Sequence, residues 1–227
     1  MSQLINKTAR TFSLFGNPLI SVPLVLGLVL IETEGFESGL RVLSLILILI
    51  VFPITAWLII KTKSGTYTDS DVSDKGQRIY FYFAVIPLLF LSSLVLYFFN
   101  QPDYIYNGVL VVSFLICTCL LVNYFSKISL HVSLNSYLAV SLTMLSPILS
   151  LIWLSVTAII GWSRIHLNRH KPPEVFLGFI VGILAGFILL NMQNKSGTRV
   201  INSLNRDLLI PLVEGEAKAL ASILSII

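Results

Sequence analysis

The sequence has little charge for its length. Only 11% of its 227 residues are Asp, Glu, Lys or Arg, whereas 56% are hydrophobic, and the mean hydropathy is +0.88. Soluble domains carry about 25% charged residues, so this chain has too little charge to cover a water-exposed surface. A soluble enzyme, a nucleic-acid-binding protein and a disordered chain therefore fit poorly. We predict a polytopic membrane protein, for which lipid is the solvent.

Cysteine is scarce as well. The two cysteines, Cys117 and Cys119, lie inside an apolar run and cannot form a metal site by themselves. The net charge of +4 is also small. In a membrane protein it is better explained by basic loop ends than by a nucleic-acid-binding surface. We expect the cysteines to face lipid or to pack, and we expect no nucleic-acid partner.

Apolar runs of the length that crosses a bilayer, about 20 residues, recur along the chain. They cover residues 12–31, 40–60, 79–99, 105–125 and 175–191. A further run, 132–162, is too long for one span and contains Ser146-Pro147. Because proline interrupts the helical hydrogen-bond ladder, we predict two short helices, 132–145 and 148–162. The expected fold is an all-α integral membrane bundle of about six to seven membrane helices.

The predicted organisation has three parts. Residues 1–62 form N-terminal membrane helices, residues 63–192 form a membrane core, and residues 193–227 form a polar linker and an apolar tail. We expect the whole chain to be a multi-pass protein of a bacterial cytoplasmic membrane.

Glycine recurs at every fourth position of the last apolar run, at Gly178, Gly182 and Gly186. Small residues on one stripe allow helix backbones to approach closely in lipid, where no hydrophobic force drives helices together. We therefore expect this face to pack against another helix, and it is the candidate contact for a homo-oligomer.

The polar residues are distributed unequally between the two predicted membrane faces. The segment before residue 12 and loops 61–78, 126–131 and 163–174 share one face, which receives ten of the fifteen Lys and Arg residues and all three histidines. The positive-inside rule explains the basic residues, but it does not require histidine. A phosphate-binding site explains both. Which side of the membrane this face occupies stays open.

The densest polar stretch of that face begins at Ser163-Arg164 and continues through His170 to Glu174. It resembles the third signature of the type-2 phosphatidic acid phosphatase superfamily, in which Ser-Arg is followed by a histidine and then an aspartate. Ile128-Ser129-Leu130-His131 is similar to the second signature at its serine and histidine. The resemblance extends over residues 68–191 and implies that the two short helices bring these signatures together.

The resemblance also implies roles for the matching residues. His170 attacks phosphorus and forms a phosphohistidine, Glu174 orients and stabilises its ring, and His131 exchanges protons with the leaving group and with water. Ser129, with nearby backbone amides, holds a phosphate oxygen. The family implies no cofactor and no metal ion.

Cations that bind the phosphate complete the expected site. Arginine suits this task because its planar guanidinium pairs two phosphate oxygens. Arg164 is the candidate from the third signature. The first signature of the family is absent, and Lys75 and Arg78 stand at its place.

These residues predict an integral membrane phosphatase that acts on a lipid phosphate or diphosphate of the phosphatidate or polyprenyl diphosphate class. The expected partners are this lipid and the bilayer. Two alternatives remain. One is a non-enzymatic relative that has kept the fold. The other is a Mg²⁺-dependent membrane prenyltransferase that uses Asp71 and Asp74, although no second aspartate-rich loop is present.

Overall fold

The computed structural model describes the backbone of residues 2–204 and the side chains of residues 3–195. The predicted apolar tail, 208–227, lies outside the described residues. The described part of the chain is helical and contains no strand, which confirms the all-α prediction. Its helices are α1 (Ser2–Phe15), α2 (Pro18–Glu34), α3 (Phe36–Ile46), α4 (Phe52–Lys63), α5 (Lys75–Phe98), α6 (Asp103–Phe125), α7 (Leu130–Ser141), α8 (Pro147–His166) and α9 (Pro172–Leu204).

Five helical segments within the described residues are long and apolar enough to cross a membrane. They are Phe36–Lys63, which joins α3 and α4 through a π-helical turn, and then Lys75–Phe98, Asp103–Phe125, Pro147–His166 and Pro172–Lys195. The pair α1 and α2, bent by 59°, gives a sixth candidate if it is one span. These segments agree with a multi-pass membrane bundle.

The predicted first span, 12–31, is divided in the structure. α1 ends at Phe15 and α2 begins at Pro18, with Asn17 as the N-cap whose side chain accepts a hydrogen bond from the Leu19 amide at 3.0 Å. Asparagine at an N-cap followed by proline at the first helical position is a strong start signal. Hydropathy does not show this boundary, so the prediction of one continuous helix over 12–31 was wrong.

The predicted break at Pro147 is present. Ser146 caps α8, and its side chain accepts from the Ile148 amide at 3.2 Å. The prediction that both flanking helices are short was wrong for α8, because this helix continues past Trp162 to His166 and is 20 residues long. Only α7, with 12 residues, is short.

α7 is the central helix of the described bundle. Every residue from His131 to Val140 is buried, including the polar Ser133, Asn135 and Ser136. Asn135 donates hydrogen bonds to the backbone carbonyls of Gly16 (2.9 Å) and His131 (2.7 Å). Burying polar groups is favourable only when they are hydrogen-bonded, so these bonds help fix the helix that carries His131.

The glycine stripe of α9 lies against α7. A Cβ atom built on Gly182 would lie 2.1 Å from the Ser133 carbonyl oxygen, and one on Gly186 would lie 2.4 Å from Val140 Cβ. One on Gly178 would lie 2.9 Å from the Ser129 carbonyl oxygen. The close helix contact that we predicted is therefore internal. The stripe is covered by α7 and is not a free face for the homo-oligomer contact assigned to it from sequence.

Replacing Gly182 with alanine tests this contact. Alanine favours a helix over glycine by about 1 kcal/mol, so an unpacked stripe predicts a rise in thermal stability. The packed stripe instead predicts a loss of about 1–3 kcal/mol, because the new methyl group overlaps the α7 backbone. Thermal unfolding in detergent measures the difference. Leu184→Ala, at an exposed position of the same helix, is the control, and a Gly182→Ala protein as stable as wild type would contradict the packing.

Candidate active site

The third-signature segment turns sharply between α8 and α9. The backbone amides of Arg169 and His170 both donate to the Arg164 carbonyl, at 3.0 and 3.2 Å, and Asn168 has a φ of 55°. Asparagine is one of the few non-glycine residues that adopt this left-handed conformation readily, and it does so here just after the helix end. The turn places His170 beside the end of α8 that carries Arg164.

His170 and Glu174 form a contact one helical turn apart. His170 Nδ1 lies 2.9 Å from Glu174 Oε2, and the same oxygen accepts from the Lys171 amide at 3.2 Å. Pro172 begins α9, so Glu174 lies in its first turn and reaches back to the ring. When Nδ1 carries the proton it donates to the carboxylate, which leaves the Nε2 lone pair free.

The electrostatics of the site keep His170 uncharged. Burial lowers the pKa of His170 to about 2, and the nearby positive charges of Arg78, Arg164 and Lys127 act in the same direction. An uncharged imidazole is the form that can act as a nucleophile.

Asp71 contacts two of the predicted site residues, His131 and Arg164. Its Oδ1 lies 3.3 Å from His131 Nε2, and its Oδ2 accepts a short hydrogen bond from Arg164 Nη2. Arg164 Nη1 also donates to Ser13 Oγ in α1, at 2.8 Å. Burial raises the pKa of Asp71, but His131, Arg164 and Arg169 together outweigh burial and the net pKa is lowered. The His131 ring lowers the pKa of Asp71 only when it is protonated. At neutral pH the guanidinium groups of Arg164 and Arg169 therefore account for the lowering.

Backbone contacts bring the second-signature segment to the same place. The Ser129 amide donates to the Glu174 carbonyl at 3.3 Å, and Arg78 Nη1 donates to the Ile128 carbonyl at 2.7 Å. Arg78 is buried, and its Nε donates to the Val72 carbonyl at 3.2 Å. Arg78 therefore ties the Asp71 loop and the second signature to α5.

Two donors at this site have no hydrogen-bond partner among the described residues. They are Ser129 Oγ and Arg164 Nε, and both are buried. A buried polar atom without a partner costs free energy and calls for an explanation. Both lie on residues that the sequence predicts to bind phosphate oxygens.

Lys75 points elsewhere. Its ammonium group is exposed and donates to the Tyr124 carbonyl at the end of α6, at 3.1 Å. Lys127, which sequence reasoning did not select, is the lysine whose charge acts on His170; its Nζ donates to the Arg169 carbonyl at 3.0 Å. Its position two residues before Ser129 was the available signal.

The remaining aspartates and His166 have other partners. Asp69 pairs with Arg169 at 3.1 Å, and Asp74 caps α5 through the Gln77 amide at 2.9 Å. Asp71 and Asp74 therefore do not point at a common ligand, and the described residues hold no group of three His, Cys, Asp or Glu side chains arranged for a metal ion. His166 contacts Asn6 at 2.8 Å and stacks on Trp162, and it therefore has partners outside this site.

Comparison with known proteins identifies the family of the chain. A family model described as the PAP2 superfamily matches residues 50–198, which is more than half of the chain. No curated protein and no solved structure matches significantly. The matched range contains Asp71, His131, Arg164, His170 and Glu174. The chain therefore belongs to the PAP2 superfamily, a phosphatase-type family, and its long apolar helices fit a multi-pass membrane protein.

Proposed function

We propose that the protein hydrolyses a lipid phosphate or diphosphate through a phosphohistidine formed on His170. The observation that carries the proposal is the 2.9 Å contact between His170 Nδ1 and Glu174 Oε2 in a buried, cation-rich site. It supplies an oriented, uncharged imidazole with a carboxylate ready to stabilise the positive ring that forms.

In the first step, His170 Nε2 attacks phosphorus. The N–P bond forms as the bond from phosphorus to the leaving oxygen breaks. Glu174 stabilises the charge that develops on the ring. His131 donates a proton to the leaving oxygen, which belongs to a lipid alcohol or, for a diphosphate, to a lipid monophosphate. Burial, Arg164 and Arg78 lower the pKa of His131 more than Asp71 raises it, and the net pKa falls to about 3. The incoming phosphate charge, placed beside this ring, raises its pKa and favours the protonated form.

In the second step, water hydrolyses the phosphohistidine. His131, now unprotonated, takes a proton from the attacking water, and the water oxygen bonds to phosphorus as the N–P bond breaks. Inorganic phosphate leaves, and His170 returns to its uncharged state. His131 thus acts as a general acid in the first step and as a general base in the second.

Arg164 and Ser129 are the proposed phosphate ligands. Among the described residues, Arg164 Nε and Ser129 Oγ have no hydrogen-bond partner. Ser129 lies at the start of α7, where the first backbone amides of a helix favour an anion. Arg78 and Lys127 add positive charge nearby. We assign Lys75 no direct contact with phosphate, because its ammonium group is directed at Tyr124.

Asp71 lies where the phosphate must bind. Its carboxylate pairs with Arg164 Nη2 and contacts His131 Nε2, the two groups that the mechanism assigns to phosphate. We infer that the carboxylate occupies the anion position of the unliganded protein and moves aside when substrate enters. A non-enzymatic relative would show the same contacts if Asp71 never left Arg164 and His131. The activity measurement therefore also tests this alternative.

Phosphate release from a panel of lipid phosphates and diphosphates in detergent tests the function. Wild type should release phosphate from at least one of them, and His170→Ala should lose this activity by several orders of magnitude, because the nucleophile is gone. His166→Ala, which changes a neighbouring histidine bound to Asn6, should remain active. No release from any lipid by the folded wild-type protein would favour the non-enzymatic alternative.

Replacing Asp71 with asparagine tests the competition for the anion position. The amide keeps the shape and loses the charge, so a phosphate should displace it more easily. We expect KM for the lipid phosphate to fall about tenfold, a free-energy change of about 1.4 kcal/mol, with kcat little changed. Asp69→Asn, which affects the Arg169 pair, is the matched control. A higher KM or a collapsed kcat for Asp71→Asn would show instead that Asp71 holds Arg164 and His131 in place for catalysis.

A further inference from the structure

The first helix, α1, contacts the end of the bundle that holds the candidate active site, although it lies outside residues 50–198, the range that the family model matches. The residues of α1 and its end that meet the bundle are small or polar and recur at helical spacing: Asn6, Ala9, Ser13 and Gly16. Positions three and four apart lie on one face of a helix, so these four residues share a face. The family match assigns this face no role.

This face of α1 packs along α8. A Cβ atom built on Gly16 would lie 2.6 Å from a methyl carbon of Ile160, which shows how closely the end of α1 approaches that helix. The Gly16 carbonyl also accepts a hydrogen bond from the Asn135 side chain of α7, at 2.9 Å. Together these contacts hold Ser13, three residues before Gly16, beside the end of α8 that carries Arg164.

The three guanidinium nitrogens of Arg164 differ in their partners. Nη1 donates to Ser13 Oγ at 2.8 Å, Nη2 donates to Asp71 Oδ2, and Nε has no partner among the described residues. In the planar guanidinium, Nε and Nη2 donate along one edge, and such an edge can pair two oxygens of a single phosphate. Nη1 lies outside that edge. The hydrogen bond to Ser13 is therefore compatible with a phosphate bound to Nε and Nη2.

We propose that Ser13 is a positioning residue that holds Arg164 for phosphate binding. The inference rests on the proposed phosphatase function and adds a residue outside the family-matched range to its site. When Asp71 leaves Nη2 to admit phosphate, the bond from Nη1 to Ser13 remains and keeps the Nε–Nη2 edge directed at the ligand. An arginine without this contact would have to order several side-chain torsions on binding, which weakens the affinity.

Replacing Ser13 with alanine in the full-length protein in lipid nanodiscs tests this role. The probe is inorganic phosphate, whose Kd is measured by titration calorimetry, so that no turnover is needed. We expect Kd for phosphate to rise about tenfold, because Nη1 loses its acceptor and the guanidinium loses its orientation. KM for an accepted lipid phosphate should rise by a similar factor and kcat should change less than about twofold, as for a contact that serves substrate and transition state alike.

Three further variants separate positioning of Arg164 from packing of α1. Ser13→Thr keeps the hydroxyl and should restore the phosphate affinity. Thr11→Ala removes from the same helix a hydroxyl that donates to the Lys7 carbonyl at 3.1 Å, and it should match wild type. In an Arg164→Lys background, Ser13→Ala should change Kd for phosphate less than about twofold, because lysine has no planar edge to orient. If Ser13 only packed α1, Ser13→Ala would weaken phosphate binding equally in both backgrounds, and that result would overturn the inference.

The outcomes distinguish this inference from the proposed function. Phosphate binding that Ser13→Ala weakens and Ser13→Thr restores, without turnover of any lipid phosphate, would support the positioning role and refute hydrolysis. Turnover with Kd and KM unchanged in Ser13→Ala would support the phosphatase and refute the positioning role, and so would a wild-type protein that binds no inorganic phosphate. If Ser13→Ala does not fold, Ser13→Cys replaces it, since sulfur is a weak acceptor of similar size, and an unchanged Kd for phosphate in that variant overturns the inference.

Discussion

Burying the Arg164 guanidinium inside a lipid-solvated bundle is the constraint on which the site depends. Arg164 is only 2% exposed, and a buried charge that loses its partner costs several kcal/mol. Asp71 supplies that partner from a loop 93 positions earlier in the chain, and the same carboxylate contacts His131. One carboxylate thus contacts groups on two other segments, α7 and the end of α8. A phosphate could satisfy the same donors in place of this carboxylate.

The packing of α7 against α9 fixes the relative positions of the site residues on these two helices. α7 is buried along almost its whole length, and the glycine stripe of α9 brings that helix to within contact of the α7 backbone. His131 lies in the first turn of α7 and Glu174 in the first turn of α9. Close packing of these helices therefore determines how the second and third signatures meet, and the hydrogen bond from the Ser129 amide to the Glu174 carbonyl joins them directly.

Local signals in the sequence were enough for part of this arrangement. Pro172 places Glu174 in a first helical turn, within reach of His170, and Ser146-Pro147 marks the break before α8. Asp71 was named only as a Mg²⁺ ligand of the prenyltransferase alternative, and Lys127 was not selected, because their contacts join loops far apart in sequence, which no local pattern encodes. Lys75 illustrates the reverse error, since a lysine near the missing first signature is directed at the end of α6 by the geometry of α5.

Orthovanadate mimics phosphorus during phosphoryl transfer, so a structure of the protein bound to it shows directly whether His170 is the nucleophile. We expect vanadium bonded to His170 Nε2, vanadate oxygens within hydrogen-bonding distance of Arg164 and Ser129, and the Asp71 carboxylate displaced from Arg164. Vanadate bound away from His170, or Asp71 still paired with Arg164 and His131 at saturating vanadate, would contradict this expectation.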